Sequence, residues 1–219
     1  MNTIAIRSAT LSDIGFLTEA IIAAERSGTD RPGIASLHGL EEEDLPELIR
    51  AMFEEEVDGC ELSVSSFLIA ESDQGPVAAV AGWIEGEIDG LSSGLLRSNL
   101  IGYTFPATAM ESLRRNGPAA AALKLDREPG TLQIEYVYVS PMERGKRLAA
   151  QLIAAHIEIV KTGESTVHKV QIQVFNNNDR ALSAYLKMGF NTVREVRSQD
   201  TRTMELLPFN EKSLLEMTL

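Results

Sequence analysis

Apolar positions recur along this chain with a period that switches repeatedly between that of a strand and that of a helix. Ile4 and Ile6 alternate within Asn2 to Arg7, which predicts a first strand. Thr10, Leu11, Ser12 and Asp13 then offer capping groups, and Ile14, Leu17, Ile21 and Ile22 follow the helical repeat. Glycine, aspartate and proline break the pattern over Gly28 to Gly33. From about Glu41 to Val57 the positions Leu45, Leu48, Ile49, Met52 and Phe53 predict an amphipathic helix between acidic flanks. Strand character returns over Ser66 to Glu71 and Val77 to Glu85, joined by a turn at Asp73, Gln74, Gly75 and Pro76. Gly82 inside the second of these strands predicts a bulge or the close approach of another backbone.

Gly86 to Gly130 is irregular and rich in glycine and proline, with short helices expected near Pro106 to Arg115 and Pro118 to Leu125. A segment this long between strands is usually functional, and we read it as a substrate-side insertion. Regular patterning resumes with a strand over Leu132 to Val139, a helix from Arg144 to about Lys161, and a strand over His168 to Phe175. A helix over Asn178 to Met188 follows. A hairpin of Phe190 to Arg197 with Thr201 to Leu206, turning at Ser198, Gln199 and Asp200, is expected to close the fold. The β-α-β-α-β order predicts an α/β or mixed sheet with helices across it.

Composition narrows the function. The apolar fraction of 44% over 219 residues is enough to bury a core, and the length suits one domain with an insertion. The net charge of −12 repels phosphate backbones, so nucleic-acid binding is disfavoured and a cationic acceptor would be attracted. Cys60 is the single cysteine, so no intrachain disulfide can form. The first ten residues lack an apolar signal region, and the longest apolar run, Val77 to Ile84, is far too short to span a bilayer. A cytoplasmic protein without membrane association is therefore expected. His38, His156 and His168 are scattered, so no metal site is expected, and His156 reads as a packed core histidine. Neither a G-x-S-x-G nor a P-loop pattern occurs.

Chemistry concentrates between Ile134 and Ala155. A strand rich in β-branched and aromatic residues stops at Ser140 and Pro141, and Glu143, Arg144, Gly145, Lys146, Arg147, Leu148 and Ala149 lead straight into a helix. Unpaired amides at a helix start, small residues and three cations together form a cradle for phosphate or pyrophosphate. This segment resembles the coenzyme A-binding motif of the GCN5-related N-acetyltransferase (GNAT) family. In that motif Gln or Arg is followed after two residues by Gly, then one residue, then Gly or Ala. Arg144, Arg147 and Ala149 take those positions, preceded by Val137, Tyr138, Val139, Ser140 and Pro141. Arg147 stands where the family most often has glycine. A helical backbone there would carry an arginine at little cost, and that is the conformation we expect. Downstream, Asn176, Asn177, Asn178, Asp179, Arg180 and Ala181, followed by Tyr185, Lys187, Gly189 and Phe190, resemble the family's second motif.

The resemblance implies an α/β (α+β) fold, with a mixed, mostly antiparallel central sheet flanked by helices. One domain would span residues 1–219, with an insertion at about 86–130 before the central strand. It implies acetyl-CoA as acyl-donor cosubstrate, without a metal, and a primary amine of a small molecule or peptide as acceptor. Val137, Tyr138, Val139, Arg144, Gly145, Lys146, Arg147, Leu148, Ala149, Asn178 and Tyr185 would contact the donor. The amides of Val137 to Val139 would bind the developing oxyanion. Attack needs a neutral amine, and Glu135 is the acid on the central strand; it reads either as general base or as a strand residue paired with a neighbour. Tyr185 reads either as the acid toward the leaving thiolate or as packing beside Leu182. Asn178 can bond the pantetheine, cap its helix, or do both. Tyr136 and Tyr138 read as sheet packing, and Trp83 as core or acceptor cleft. Glu and Asp residues of Glu41 to Glu61 would hold a cationic acceptor, or else form a solvated face. A protein of the same fold that binds acyl-CoA for regulation or structure, with weak turnover, is the alternative. The sequence leaves the oligomeric state open, a homodimer included.

Overall fold

The structure is a computed structural model that describes residues 4–163 and 166–219; Asn2 and Thr3 of the expected first strand lie outside these residues. In chain order the elements are β1 (Ala5–Ser8), α1 (Ile14–Glu25), α2 (Gly33–His38), α3 (Leu45–Glu54), β2 (Phe67–Ser72) and β3 (Gly75–Ile84). They continue with α4 (Ser93–Thr104), α5 (Ala107–Ala121), β4 (Leu132–Val139), α6 (Leu148–Thr162) and β5 (Lys169–Phe175). α7 (Asp179–Lys187), β6 (Asn191–Arg197), α8 (Thr203–Leu206) and β7 (Glu211–Thr218) complete the fold. The seven strands form one mixed, mostly antiparallel sheet in the order β1-β2-β3-β4-β5-β7-β6. Only β4 and β5 run parallel within it.

The sheet separates two apolar clusters. On one face Leu17 and Ile21 of α1, Ile34 of α2, Leu45 and Ile49 of α3, Leu96 of α4 and Ala109 of α5 pack against Ala79, Ala81, Trp83 and Tyr136. On the other face Leu148, Leu152 and Ile153 of α6 and Tyr185 of α7 pack against Ala78, Val80, Ile134, Ile172 and Val174. The alternating apolar positions along β2 and β3 thus feed opposite cores, as a two-residue side-chain period requires.

Local contacts explain several boundaries. Arg7 holds Asp13 through Nη1 at 2.7 Å and Nη2 at 2.8 Å, and the Thr10 amide donates to Asp13 Oδ2 at 2.8 Å, which sets the entry to α1. Gly82 leaves room for His156, since a Cβ at that position would lie 2.6 Å from the imidazole Nδ1. The approaching group is thus a side chain from α6 rather than a backbone, and His156 is buried with Nε2 donating to the Val80 carbonyl at 3.0 Å.

Three expectations are corrected. Thr201 to Leu206 is not the closing strand. Asp200 accepts from the Arg202 amide at 2.9 Å and Thr203 Oγ1 donates to the Ala119 carbonyl at 2.7 Å, which winds this stretch into α8. The strand that pairs with both β5 and β6 is β7, further along the chain. In the segment before β4 the helices are α4 and α5 rather than Pro106 to Arg115 and Pro118 to Leu125. Ser92 caps α4 by accepting from the Leu95 amide at 3.3 Å, and α5 continues through Pro118 with Ala119 fully buried. Finally, α6 begins at Leu148, not Arg144, because Gly145 (φ +87°) and Arg147 (φ +61°) both adopt left-handed backbone. The helical conformation expected for Arg147 is overturned, and an arginine there costs about 1–2 kcal/mol against an unstrained residue.

Candidate active site

A splay and a bulge in the middle of the sheet generate the site. β4 and β5 pair only at Leu132 with Val170, Gln133 with Gln171 and Ile134 with Ile172, and then diverge. On its other side β4 pairs Glu135 with Ala81 but Tyr138 with Ala79, so it carries one residue more than β3. The extra residue is accommodated at Tyr136, whose φ is +47°. Strict alternation would send Glu135 and Tyr136 to opposite faces. The bulge instead leaves the Tyr136 ring in the α1–α5 core, with its hydroxyl donating to Glu25 Oε1 at 3.0 Å. The Ser140 amide donates to the β3 carbonyl of Val77 at 2.9 Å. Alternation back from that bond turns the amides of Val139 and Val137 toward the gap left by β5, and that of Tyr138 toward β3.

A cleft of about 1040 Å³ runs through this gap. On the α6–α7 side it is lined by Arg144, Gly145, Arg147, Leu148, Ala149, Asn178 and Tyr185, and in the gap by Val137, Tyr138 and Val139. Of the expected donor-binding residues only Lys146 is absent from this lining; its ammonium pairs with Glu143 at 2.7 Å and is half exposed. A Cβ on Gly145 would meet nothing within 4 Å, so the loop before α6 is open to a ligand. Asn178 caps α7 by accepting from the Ala181 amide at 3.2 Å. Tyr185 is 7% exposed and stacks edge-on with Phe190 at 6.2 Å, and burial pushes its phenol above its ordinary pKa, so it stays protonated. Open amides, small side chains and cations at one end of a long cleft fit a ligand with phosphates on a slender apolar arm.

On the opposite face the cleft meets Glu25, His38, Arg97, Arg127, Glu135 and Lys212. Sequence spacing did not bring these together. Glu135 Oε1 accepts an ion-paired bond from Arg127 Nη2, while among the described residues Oε2 has no partner. Arg127 also reaches the fully buried Glu61, with Nη2 at 3.0 Å and Nη1 at 3.2 Å, and Arg97 approaches the same carboxylate at 3.3 Å. Burial alone would push the Glu61 carboxyl up, but the two guanidinium charges outweigh it and hold the group below the usual carboxylate range. Arg127 further lies over the Trp83 ring at 4.9 Å. Trp83 is therefore core and donates to Glu85 at 3.2 Å instead of lining the cleft. Glu61 apart, the acidic stretch Glu41 to Glu61 contributes nothing that touches the cleft-lining cations, and none of its carboxylates lines the cleft.

His38 is 4% exposed. Its Nδ1 donates to the Ile34 carbonyl at 2.7 Å, and among the described residues the buried Nε2 has no partner. Burial, reinforced by the Arg97 charge and opposed by the Ile34 bond, lowers its pKa and keeps the ring neutral. Among the described residues no group of three or more His, Cys, Asp or Glu is arranged to hold a metal ion, and no helix is long and apolar enough to cross a membrane.

Comparison with known proteins bears on the same geometry. An N-acetyltransferase from Staphylococcus aureus Mu50 superposes with a TM-score of 0.66 at 16% identity, covering 97% of this chain and 100% of that one. An agmatine N-acetyltransferase superposes at 0.60 with 14% identity, over 99% of both chains. A ribosomal-protein-alanine N-acetyltransferase from Brucella melitensis gives 0.52 with 14% identity, over 98% of this chain and 99% of that one. At such identities the likeness is one of fold. No curated protein matches the chain by sequence. The profile of the acetyltransferase (GNAT) family, however, matches residues 34–190, a span that takes in most of α2, the splayed strands and the segments Arg144 to Ala149 and Asn176 to Phe190. The chain belongs to the acetyltransferase (GNAT) family.

Proposed function

We propose that the chain is an acyl-CoA-dependent N-acyltransferase, one domain over residues 1–219, that moves an acetyl group from acetyl-CoA to a primary amine of a small molecule or peptide. The observation that carries this reading is the single cleft that joins the open loop before α6 to the Glu135 carboxylate through the β4–β5 gap. Acetyl-CoA, when bound, supplies the activated acyl thioester. The residues of this chain do the rest. Arg144, Gly145, Arg147, Leu148 and Ala149 surround the phosphates with amides and positive charge, and Lys146 adds charge from outside. Asn178 bonds the pantetheine arm with the side chain that also caps α7. Val137 and Val139 offer amides to the carbonyl oxygen that gains charge.

Glu135 takes a proton from the acceptor amine at Oε2, directly or through one water, while Arg127 fixes the other oxygen. Tyr185, held protonated by burial, gives a proton or hydrogen bond to the leaving sulfur. Agmatine and a protein alanine, the substrates named for two of the similar structures, are consistent with an amine acceptor. The Arg127–Glu135 ion pair also favours a second reading, a protein that binds acyl-CoA with weak turnover, because it occupies one oxygen of the base. Release of free thiol from acetyl-CoA, screened over polyamines, amino acids, aminoglycosides and peptides with free N-termini, separates the two. Binding without thiol release favours the second.

A further inference from the structure

Among the described residues, Lys212 is the cation on the Glu135 face of this cleft that has no carboxylate partner. It projects from β7 opposite Phe175 of β5, and its ammonium lies 5.7 Å from the Phe175 ring centre. Val170, Ile172 and Val174 of β5 point into the α6–α7 core, so Phe175, at the odd position, faces the other way with Lys212 beside it. That is the face of Glu25, Arg97, Arg127 and Glu135, not the face of the loop before α6. Each arginine there is compensated: Arg97 by Glu61 and Glu25, Arg127 by Glu61 and Glu135. Among the described residues Lys212 makes neither an ion pair nor a hydrogen bond. A desolvated charge in a protein is normally paired, so an ammonium left unpaired in a cleft marks where a ligand brings the missing anion.

We propose that the acceptor carries, beside its amine, an anionic group of carboxylate type, and that Lys212 holds that group. The inference rests on the acyltransferase reading and specifies its substrate class. With the amine at Glu135 Oε2 and the anion at Lys212, the acceptor lies across the mouth of the β4–β5 gap on the α1–α5 face. The thioester approaches from the other side. Burial lowers the Lys212 pKa, Arg127 and Arg97 lower it further, and Glu135 opposes them; a bound carboxylate would reverse the balance in favour of the ammonium. The net charge of −12 does not conflict with this assignment. An amine and a carboxylate on one small molecule sum to zero, so the long-range field neither gathers nor repels it, and recognition falls to short-range pairing.

The test uses the full chain and matched acceptors: α-amino acids, β-alanine and 4-aminobutyrate, each against its own amide and against the plain alkylamine. Thiol release from acetyl-CoA gives kcat/KM for each. The acid of the best pair should exceed its amide by about 10- to 100-fold, the range for a charge-assisted bond. Amides are the more readily deprotonated amines, so any chemical bias runs against this expectation. In Lys212→Met the acid-to-amide ratio should collapse toward one, carried by KM more than kcat, and Lys212→Arg should restore most of it. Equal or better turnover of amides, or an unchanged ratio in Lys212→Met, overturns the assignment and leaves the acyltransferase reading standing. If no acceptor releases thiol and calorimetry detects no acetyl-CoA binding, that reading falls and this one with it.

Discussion

The guanidinium of Arg127, from the stretch between α5 and β4, ion-pairs with Glu135 on the central strand and with the fully buried Glu61 at the same time. This arrangement makes Glu135 and Arg127 respond differently to mutation. Glu135→Gln keeps the shape and hydrogen-bonding capacity of the side chain but removes its basicity. It should lower kcat/KM by about 10²- to 10⁴-fold with the Kd of acetyl-CoA unchanged, measured by thiol release and calorimetry. Arg127→Met should instead act on the fold. It strips Glu61 of its closest cation inside the protein, and breaking a buried pair from one side costs about 3–5 kcal/mol, readable in urea unfolding. An Arg127→Met protein as stable as the parent would mean that Arg97 alone suffices for Glu61.

Tyr185 has two contributions that a single substitution can separate. Its ring packs on Phe190 and on the α6–α7 core, and the residue also lines the cleft. Tyr185→Phe retains the ring. The Tm and the acetyl-CoA Kd should therefore stay where they are, while kcat falls by about 10- to 10⁴-fold from loss of the proton donor. An unchanged kcat would assign the side chain to packing alone.

How far the sequence displays this site depends on the range of the forces involved. β4 shows itself at Leu132–Val139 because Ile134 and the run Tyr136 to Val139 are β-branched or aromatic, and Gly130 and Pro141 lie just beyond its ends. α7 does so through Asn178 and the small residues after it. The α6–α7 side of the cleft, built from such local segments, was legible as a lining. The side that meets Glu61, Arg97 and Arg127 was not. Glu61 meets Arg97 and Arg127 across 36 and 66 positions of chain, and no periodicity encodes that. β7 was hidden because Leu214, Leu215, Glu216 and Met217 favour helix, and only the vacancy between β5 and β6 makes them a strand. Misplacing β7 concealed Lys212. The bulge that aims Glu135 and Tyr136 at one face has no sequence mark either, because Tyr136 is not a glycine.

Arg147 offers a test of strain against charge. Its left-handed backbone favours glycine, whereas its guanidinium sits at the start of α6 where phosphates are expected. Arg147→Gly relieves about 1–2 kcal/mol of strain and adds back roughly 0.5–1 kcal/mol of unfolded-state freedom. The ligand-free protein should be unchanged or up to about 1.5 kcal/mol more stable. Arg147→Val, a β-branched residue in the same conformation, should be clearly less stable than either. Affinity should move the opposite way. Arg147→Gly should bind acetyl-CoA more weakly and with a shallower dependence on salt, and an unaltered salt dependence by calorimetry would show that Arg147 does not contact phosphate.

His38 and His156 should make the fold sensitive to mild acid. Burial lowers the pKa of both, against the opposing carbonyl bonds of Ile34 and Val80, and the Arg97 charge lowers His38 further. The folded chain therefore keeps both rings neutral at pH values where the unfolded chain, near the ordinary value of about 6.5, has begun to protonate them. Below that pH the unfolded state binds protons that the folded state does not, so stability falls with falling pH, from about 6.5 down to the depressed folded values. Each ring contributes at most about 1.4 kcal/mol per pH unit in that window. Depressed carboxylates act elsewhere. Asp13, held near a pKa of about 2 by its bond to Arg7, stabilises the fold above its unfolded value and loses that contribution only as the pH drops through the acid range below 4. Thermal melts between pH 7.5 and 5 should show the histidine-linked decline. His38→Gln with His156→Gln should flatten it, even if the doubly substituted protein starts from a lower Tm because Gly82 and Val80 lose a fitted neighbour. An equally steep decline in the double variant would place the acid sensitivity on groups other than these two rings.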